Sequence, residues 1–256
     1  TGAIAAFYSV HQKEVEKYLE TGVPLVSISK GIDPDTLEMS DDLLQEYFSK
    51  HQDLITYLSG PSFAKEIVDK QVTIVALAGK TPDTLLSVCK MMGTDYFKCM
   101  PTYDIKGVLL GGALKNILAI AGGILEGLGY NHNTRAAMIT RGINEMLRFG
   151  TVFNARPETF YSFAGMGDLI LTTTSSLSRN KTFGVDIAKS GKTPEEIINS
   201  QRSVVEGYKT TKAAYNLADK YKIRAPLFQG VYKILYENVD PKTVLKHLMR
   251  LPINSI

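Results

Sequence analysis

The chain has 256 residues, of which 44% are hydrophobic and 21% charged, a composition typical of a globular protein with one or two domains. Its net charge of +3 is too small to indicate a nucleic acid or a membrane surface as partner, although it is compatible with an anionic small molecule. The two cysteines, Cys89 and Cys99, cannot form a disulfide framework, and the sequence after Thr1 has no signal-peptide pattern. We therefore expect a reducing, cytoplasmic location.

The first hundred residues alternate between short apolar runs and helical segments. Apolar runs predict strands at residues 23–29, 54–59, 72–78 and 96–100, and helices are predicted at residues 13–19, 41–48, 65–68 and 82–92. Such alternation is typical of a mostly parallel α/β sheet. Ligands bind at the carboxyl ends of strands in these sheets, so we expect Lys30 and Ser62 to lie in one crevice. No G-x-G-x-x-G follows a strand, so the phosphate-binding turn of a dinucleotide fold is absent from this sequence.

From about residue 106 the pattern becomes helical throughout. Periodicity predicts helices at residues 107–128, 133–149, 181–189, 194–199, 205–221, 227–236 and 241–249, and Thr134 can cap the helix at 133–149. Residues 160–171 are predicted to form a loop-rich segment. No flexible linker separates the halves. The predicted fold is α/β plus all-α, with one domain at residues 1–105 and a second at 106–256.

The helical segment 107–128 contains Lys115 and Asn116 among residues that are otherwise apolar or glycine from 108 to 125. The run is nearly long enough to span a membrane, but its four glycines, lysine and asparagine favour a buried core helix. A buried ammonium costs several kcal/mol unless it is paired or deprotonated, so a functional lysine with a lowered pKa is one interpretation. The other is a structural lysine whose head reaches the surface along an apolar stem.

The segment Gly-Pro-Ser-Phe-Ala at residues 60–64 follows a predicted strand. Gly60 and Pro61 fix a turn, and Ser62 can cap the next helix, whose free N–H groups suit an anion. The local sequence is equally that of an ordinary capped turn between a strand and a helix.

Residues 172–178 contain six hydroxyl side chains and are followed by Arg179 and Asn180, a composition suited to binding phosphate oxygens. Asp168, between glycines and an apolar run, is a candidate partner for a buried lysine. The alternative is a polar connector with an exposed arginine. Glu206 in Val-Val-Glu-Gly at 204–207 lies near a helix start, where a capping acid is the simpler explanation.

Together these motifs are similar to those of a known family. They are KGI at 30–32, GPSFA at 60–64, ALKN at 113–116, NTRAAMITRG at 133–142, AGMGDLILTTTSSLSRN at 164–180 and VVEG at 204–207. In this order they resemble the NAD-dependent glycerol-3-phosphate dehydrogenases, over nearly the whole chain. The family's pattern places the first half of the dinucleotide domain before the residue that is Thr1 here. We therefore expect a fragment or one part of a longer chain.

The resemblance implies a fold, a reaction and a cofactor. The fold would be the C-terminal part of a Rossmann-type domain, followed by a helical substrate domain like the C-terminal domain of 6-phosphogluconate dehydrogenases. The reaction would be the interconversion of dihydroxyacetone phosphate and sn-glycerol 3-phosphate, which links glycolysis to glycerophospholipid synthesis. NAD would be the cofactor, with NADP not excluded because the selecting region lies outside this chain. A homodimer is expected as the commonest assembly, and no metal site is predicted.

The resemblance also assigns roles to residues. Lys115 would give a proton to the substrate's carbonyl oxygen and take it back in the reverse direction. The substrate-binding residues would be Lys30, Gly60, Ser62, Asn116, Asp168, Thr172, Ser178, Arg179 and Asn180, with Arg179 and Asn180 on the phosphate. The cofactor-binding residues would be Ala64, Arg179, Val204 and Glu206.

Two alternatives remain at this point. One is another lysine-dependent two-domain dehydrogenase, of the 6-phosphogluconate or 3-hydroxyacid type. In those families the asparagine follows the lysine by about a turn, whereas Asn116 is adjacent to Lys115 here. The other is a non-catalytic helical module, which the missing glycine motif favours and the presence of Lys115, Asp168 and Arg179 does not.

Overall fold

The computed structural model describes residues 2–200 and 204–251. In the first part of the chain, helices α1 to α4 alternate with four strands. The elements are α1 (Gly2–Glu20), β1 (Leu25–Ser27), α2 (Ser40–Tyr47), β2 (Ile55–Ser59), α3 (Ala64–Val68), β3 (Thr73–Gly79), α4 (Pro82–Met92) and β4 (Phe97–Thr102). A 3₁₀ segment, Ser49–Leu54, precedes β2 and was not predicted from the sequence.

The rest of the described chain is helical, as predicted. The elements are α5 (Ile105–Gly127), α6 (His132–Val152), α7 (Pro157–Phe160), α8 (Asp168–Thr174), α9 (Arg179–Lys189), α10 (Pro194–Ser200), α11 (Glu206–Lys220), α12 (Pro226–Glu237) and α13 (Pro241–Met249). The fold class is therefore the expected one, a Rossmann-like sheet part followed by a helical part.

The four strands form one sheet in the order β1-β2-β3-β4. The pairs β1/β2 and β3/β4 are parallel, but β2 and β3 are antiparallel. The prediction of a mostly parallel sheet holds for the two outer pairings and is wrong for the central one. Helix α3 explains the difference, because its five residues rise only about 8 Å, whereas the seven residues of β3 span about 23 Å. It is too short to return the chain to the start of a parallel strand.

Helix α5 lies at the centre of the molecule. It packs against β2 and β3, and helices α6, α8, α9 and α11 surround it. Every residue from Gly107 to Ile124 is buried, including Lys115 and Asn116. Its length and composition would suffice to cross a membrane, but its most apolar window is wholly buried inside the protein. This confirms the prediction of a core helix.

The segment 160–171 differs from the loop-rich connection that its glycines predict. It contains the end of α7, a π-helical turn at Phe163–Gly167 and the start of α8. The glycines serve close packing: a Cβ at Gly165 would lie 2.2 Å from the Phe160 carbonyl oxygen, and one at Gly111 would lie 2.5 Å from that of Ala164. The turn therefore sits directly on α5 and brings the first residue of α8 to the middle of that helix.

Three smaller predictions are also corrected. Thr134 lies inside α6, whose N-cap is Asn131, so it does not cap that helix. Strand β1 has three half-buried residues, fewer than predicted, since its outer edge has no neighbouring strand among the described residues. The helix predicted at residues 13–19 is the second half of the longer α1.

Candidate active site

A cavity of about 400 Å³ lies where β1 and β2 end, beside α5, α8, α9 and the start of α11. Lys30 and Ser62 both line it, which confirms that they share one crevice. Of the site residues predicted from the sequence, the cavity is lined by Lys30, Gly60, Ser62, Ala64, Lys115, Asn116, Asp168, Thr172, Ser178, Arg179, Asn180 and Glu206. Val204 is the exception, because it is 70% exposed and does not line the cavity.

Lys115 projects from the middle of α5 onto the carboxylate at the start of α8. Its Nζ donates to Asp168 Oδ1 and, at 2.9 Å, to Thr172 Oγ1. The second oxygen, Asp168 Oδ2, accepts from Lys30 Nζ at 2.9 Å. Lys115 is thus paired inside the protein rather than reaching the bulk solvent, which confirms Asp168 as its partner and decides against the surface-reaching interpretation.

This pairing brings two cations to one carboxylate. The pKa of Lys115 is lowered from 10.5 to about 8, chiefly because burial disfavours the charged ammonium and secondly because Lys30 is also positive. The carboxylates of Asp168 and Glu206 act in the opposite direction. A lysine with a pKa near 8 can both give and take a proton close to neutral pH, which an ordinary lysine cannot.

A second set of hydrogen bonds joins α5, α9 and α11. The backbone N–H of Gly207 donates to Asn180 Oδ1 at 2.9 Å, and Asn180 Nδ2 donates to Asn116 Oδ1 at 3.0 Å. Asn116 Nδ2 then donates to Glu206 Oε2 at 3.3 Å, so the chain closes on the residue before Gly207. We call these four residues the amide ring. It fixes both asparagine side chains at the cavity wall.

The hydroxyl-rich segment ends at the N-terminus of α9. Ser178 is the N-cap, since its Oγ accepts from the backbone N–H of Lys181 at 3.3 Å. Arg179, the first residue of the helix, is exposed at the cavity, and no residue in the described part of the chain accepts a hydrogen bond from its guanidinium. A positive helix end, an unpaired guanidinium and two further cations together form a site suited to an anion.

Two capping interpretations prove wrong. Ser62 does not cap α3, because its Oγ donates to the Gly60 carbonyl at 3.0 Å and Phe63 is the N-cap. Glu206 starts α11 but makes no capping hydrogen bond, and its carboxylate instead accepts from Asn116.

The cavity wall also includes Phe63, Lys65, Leu171 and Leu177, which the sequence analysis did not single out. Their adjacency to the GPSFA and hydroxyl-rich segments was the available signal.

A second cavity, of about 130 Å³, lies between α5, α6, α12 and α13. Its lining is apolar apart from Thr134 and Arg141. Its lining offers no carboxylate and no lysine.

Comparisons with known proteins identify the family. A family model described as the NAD-dependent glycerol-3-phosphate dehydrogenase C-terminus matches residues 104–246, and the corresponding N-terminus model matches residues 4–85. The chain belongs to the NAD-dependent glycerol-3-phosphate dehydrogenase family. This confirms the resemblance and decides against the 6-phosphogluconate and 3-hydroxyacid alternatives. The protein is thus an NAD(P)-dependent oxidoreductase.

Individual relatives agree with this family. A glycerol-3-phosphate dehydrogenase (NAD(P)+) of Leptospira biflexa is 44% identical over 93% of this chain and 71% of its own length. That of Citrifermentans bemidjiense is 45% identical over 88% of this chain and 67% of its own length. The crystal structure of glycerol-3-phosphate dehydrogenase from Coxiella burnetii superposes with a TM-score of 0.81 at 32% identity, covering 93% of this chain and 73% of that chain.

Proposed function

We propose that the protein interconverts dihydroxyacetone phosphate and sn-glycerol 3-phosphate by hydride transfer with NAD(H), and that Lys115 moves the proton. The observation that carries the proposal is a buried lysine with a lowered pKa, held by Asp168 at the wall of a cavity rich in cations. The family membership supports the same reaction. The substrate's place between glycolysis and glycerophospholipid synthesis and a homodimeric assembly remain predictions.

Lys115 is suited to the proton step in both directions. In reduction, its ammonium donates a proton to the carbonyl oxygen as negative charge develops there. The same group, once neutral, accepts the hydroxyl proton of sn-glycerol 3-phosphate in oxidation. Asp168 and Thr172 hold Nζ in place, so the lysine loses little conformational freedom when substrate binds.

The remaining cavity residues form two groups, one for each end of the substrate. Arg179, Asn180 and the capped first turn of α9 would bind the phosphate, since a planar fork and helix N–H groups match its oxygens. Lys30 and Asn116 lie nearer Lys115 and would hold the oxygens at the reacting carbon.

The nicotinamide end of the cofactor fits the groups at the cavity mouth. The guanidinium of Arg179 and the second carboxylate oxygen of Glu206 have no partner among the described residues, and the small, exposed Ala64 lines the same cavity. A carboxamide offers one acceptor and one donor, which match these two groups. When bound, NAD(P)H supplies the hydride. Val204, which the resemblance places with these residues, lies outside the cavity.

A steady-state assay tests the proposal. The full-length protein should oxidise NADH when dihydroxyacetone phosphate is present and not when glyceraldehyde 3-phosphate replaces it, and it should not reduce NAD with 6-phosphogluconate. Oxidation of NADH that does not depend on dihydroxyacetone phosphate would refute the proposed substrate.

A further inference from the structure

Lys181 lies in the first turn of α9, and its side chain reaches back to the end of α8. Its side chain is only 8% exposed, and Nζ donates to the Thr174 carbonyl oxygen, at the end of α8, at 3.0 Å. The same ammonium pairs with Glu126 Oε2 on α5 at 2.9 Å. Its backbone N–H donates to Ser178 Oγ at 3.3 Å. One residue therefore holds both ends of the turn formed by residues 175–178.

This turn leads directly into Arg179 and Asn180. Because the guanidinium of Arg179 has no partner in the described part of the chain, its position depends on the backbone that carries it. The backbone of α9, which carries Arg179, also packs closely against the backbone of α5. A Cβ at Gly123 would lie 2.0 Å from the Lys181 carbonyl oxygen, and one at Gly184 would lie 2.2 Å from that of Ile120. The carbonyl of Lys181 contacts α5 while its ammonium closes the turn.

We propose that Lys181 is a positioning residue for phosphate binding, which holds the 175–178 turn so that Arg179 and Asn180 face the cavity. This inference rests on the proposed function, in which those two residues bind the substrate's phosphate. Lys181 does not line the cavity and is not a catalytic residue.

The energetics of buried ion pairs indicate that the Lys181 ammonium serves to position the 175–178 turn rather than to stabilise the fold. Removing one member of a buried ion pair destabilises a protein chiefly because the other charge is left buried and unpaired. Glu126 is 40% exposed, so we expect Lys181→Met to change stability little. Glu126 would keep a partner after that replacement, because Arg135 Nη2 also donates to its Oε2 at 2.9 Å. The Thr174 carbonyl would lose its link to α5, and the turn would be free to shift.

The test compares Lys181→Met with Lys189→Met, which removes an exposed lysine at the far end of the same helix. In the full-length protein, Lys181→Met should raise KM for dihydroxyacetone phosphate about fivefold and weaken the calorimetric Kd for sn-glycerol 3-phosphate by the same factor. At saturating NADH, kcat should stay within twofold, as should kcat/KM for unphosphorylated dihydroxyacetone. Lys181→Arg should restore most of the affinity, and Lys189→Met should match the wild type in every measurement.

Other outcomes overturn the inference. Equal losses with the phosphorylated and unphosphorylated substrates would show general damage, and an unchanged KM and Kd would show that the turn does not need Lys181. If Lys181→Met fails to fold, Glu126→Gln, which weakens the same link, must raise KM for dihydroxyacetone phosphate about threefold, or the inference is wrong. A wild type that binds sn-glycerol 3-phosphate without turnover refutes the proposed function, while the Kd comparison still decides on Lys181. A wild type that does neither overturns both.

Discussion

Helix α5 carries two charge clusters of opposite composition. In the Asp168 cluster, one carboxylate is shared between the ammonium groups of Lys115 and Lys30. In the Lys106 cluster, one ammonium is shared between Asp41 and Asp42, at 2.8 and 2.7 Å. Both join α5 to elements distant in the sequence, and both bury a carboxylate almost completely. In each cluster one central charge pairs with two charges of the opposite sign. The Asp168 cluster therefore has one positive charge in excess, and the Lys106 cluster has one negative charge in excess.

The surroundings of the two clusters match these excess charges. The Asp168 cluster lines the 400 Å³ cavity, where an anionic substrate can balance the extra cation. The Lys106 cluster does not line it, and its ammonium lies 5.9 Å from the centre of the Phe153 ring. Burial there raises the pKa of Asp41 above its ordinary value, although Lys106 lowers it in part. An excess of charge beside a cavity indicates ligand binding. In the Lys106 cluster solvent screens the excess, since Asp42 is 38% exposed, and the raised pKa of Asp41 relieves it in part.

The largest expected effect separates the two lysines of α5. Lys115→Met should lower kcat for dihydroxyacetone phosphate at least a hundredfold, the usual contribution of a general acid. Lys106→Met is the matched control on the same helix and should leave kcat within about threefold. Steady-state assays of both variants make the comparison. Comparable losses of kcat in both would mean that the two clusters do not differ in function.

Stability should show the reverse order. Lys106→Met leaves the buried Asp41 carboxyl without its cation, and we expect the free energy of unfolding to fall by about 2 kcal/mol, less than for a fully buried pair because Lys106 is a quarter exposed. Chemical denaturation measures this at neutral pH. The loss should shrink as the pH falls, since protonated Asp41 needs no cation. A variant as stable as the wild type would show that the cluster contributes nothing.

Substrate charge provides a third test. Arg179→Lys replaces a planar fork with a point charge, so KM for dihydroxyacetone phosphate should rise about tenfold, equivalent to about 1.4 kcal/mol. Some loss of kcat should accompany it, because phosphate binding also positions the carbonyl. Unphosphorylated dihydroxyacetone should be reduced almost equally by both forms, because a lysine can still donate to the carboxamide oxygen. An equal slowing of both substrates would assign Arg179 to the cofactor alone or to folding, and the phosphate to Lys30.

The smallest effect is expected in the pH profile. Reduction needs protonated Lys115, so kcat/KM should fall as the pH rises through about 8. Lys30 lowers this pKa by its positive charge, so Lys30→Met should move the falling limb to higher pH. Lys65→Met, which removes an exposed lysine of the cavity wall, is the control and should leave the limb in place. A limb that moves to lower pH in Lys30→Met would contradict the shared-carboxylate description.

Local sequence was enough to predict much of this fold. The helices at 82–92 and 241–249 begin with proline and were predicted with their observed bounds. The composition of α5 predicted a buried Lys115, with a surface-reaching head as the alternative, and named Asp168 as a candidate partner. The structure pairs the two residues. The antiparallel pairing of β2 and β3 could not be predicted in this way, because it depends on how far α3 carries the chain.

The contacts that escaped prediction join residues that are far apart in the sequence. Glu206 looks like a helix cap until Asn116, ninety positions earlier, is placed beside it. Lys181 and Glu126 belong to different helices with no periodic relation, so neither indicates the other in the sequence. The glycines at 165 and 167 suggest a loop, yet they lie in a helical turn in which Gly165 packs closely against Phe160. The division into domains at residue 105 stays a prediction.

The hydrogen bonds of the amide ring can run in only one direction. This direction determines which N–H groups of the two asparagines remain free to donate. A backbone N–H can only donate and a carboxylate can only accept, so the chain from Gly207 through Asn180 and Asn116 to Glu206 cannot be reversed by flipping an amide. Each asparagine keeps one further N–H that no described residue accepts. With the ammonium and guanidinium groups, the polar groups around the proposed phosphate site are then mostly donors. Such a lining selects the fully ionised phosphate over its monoanion, whose extra hydrogen would face another donor, so substrate affinity should decline below the second phosphate pKa of about 6.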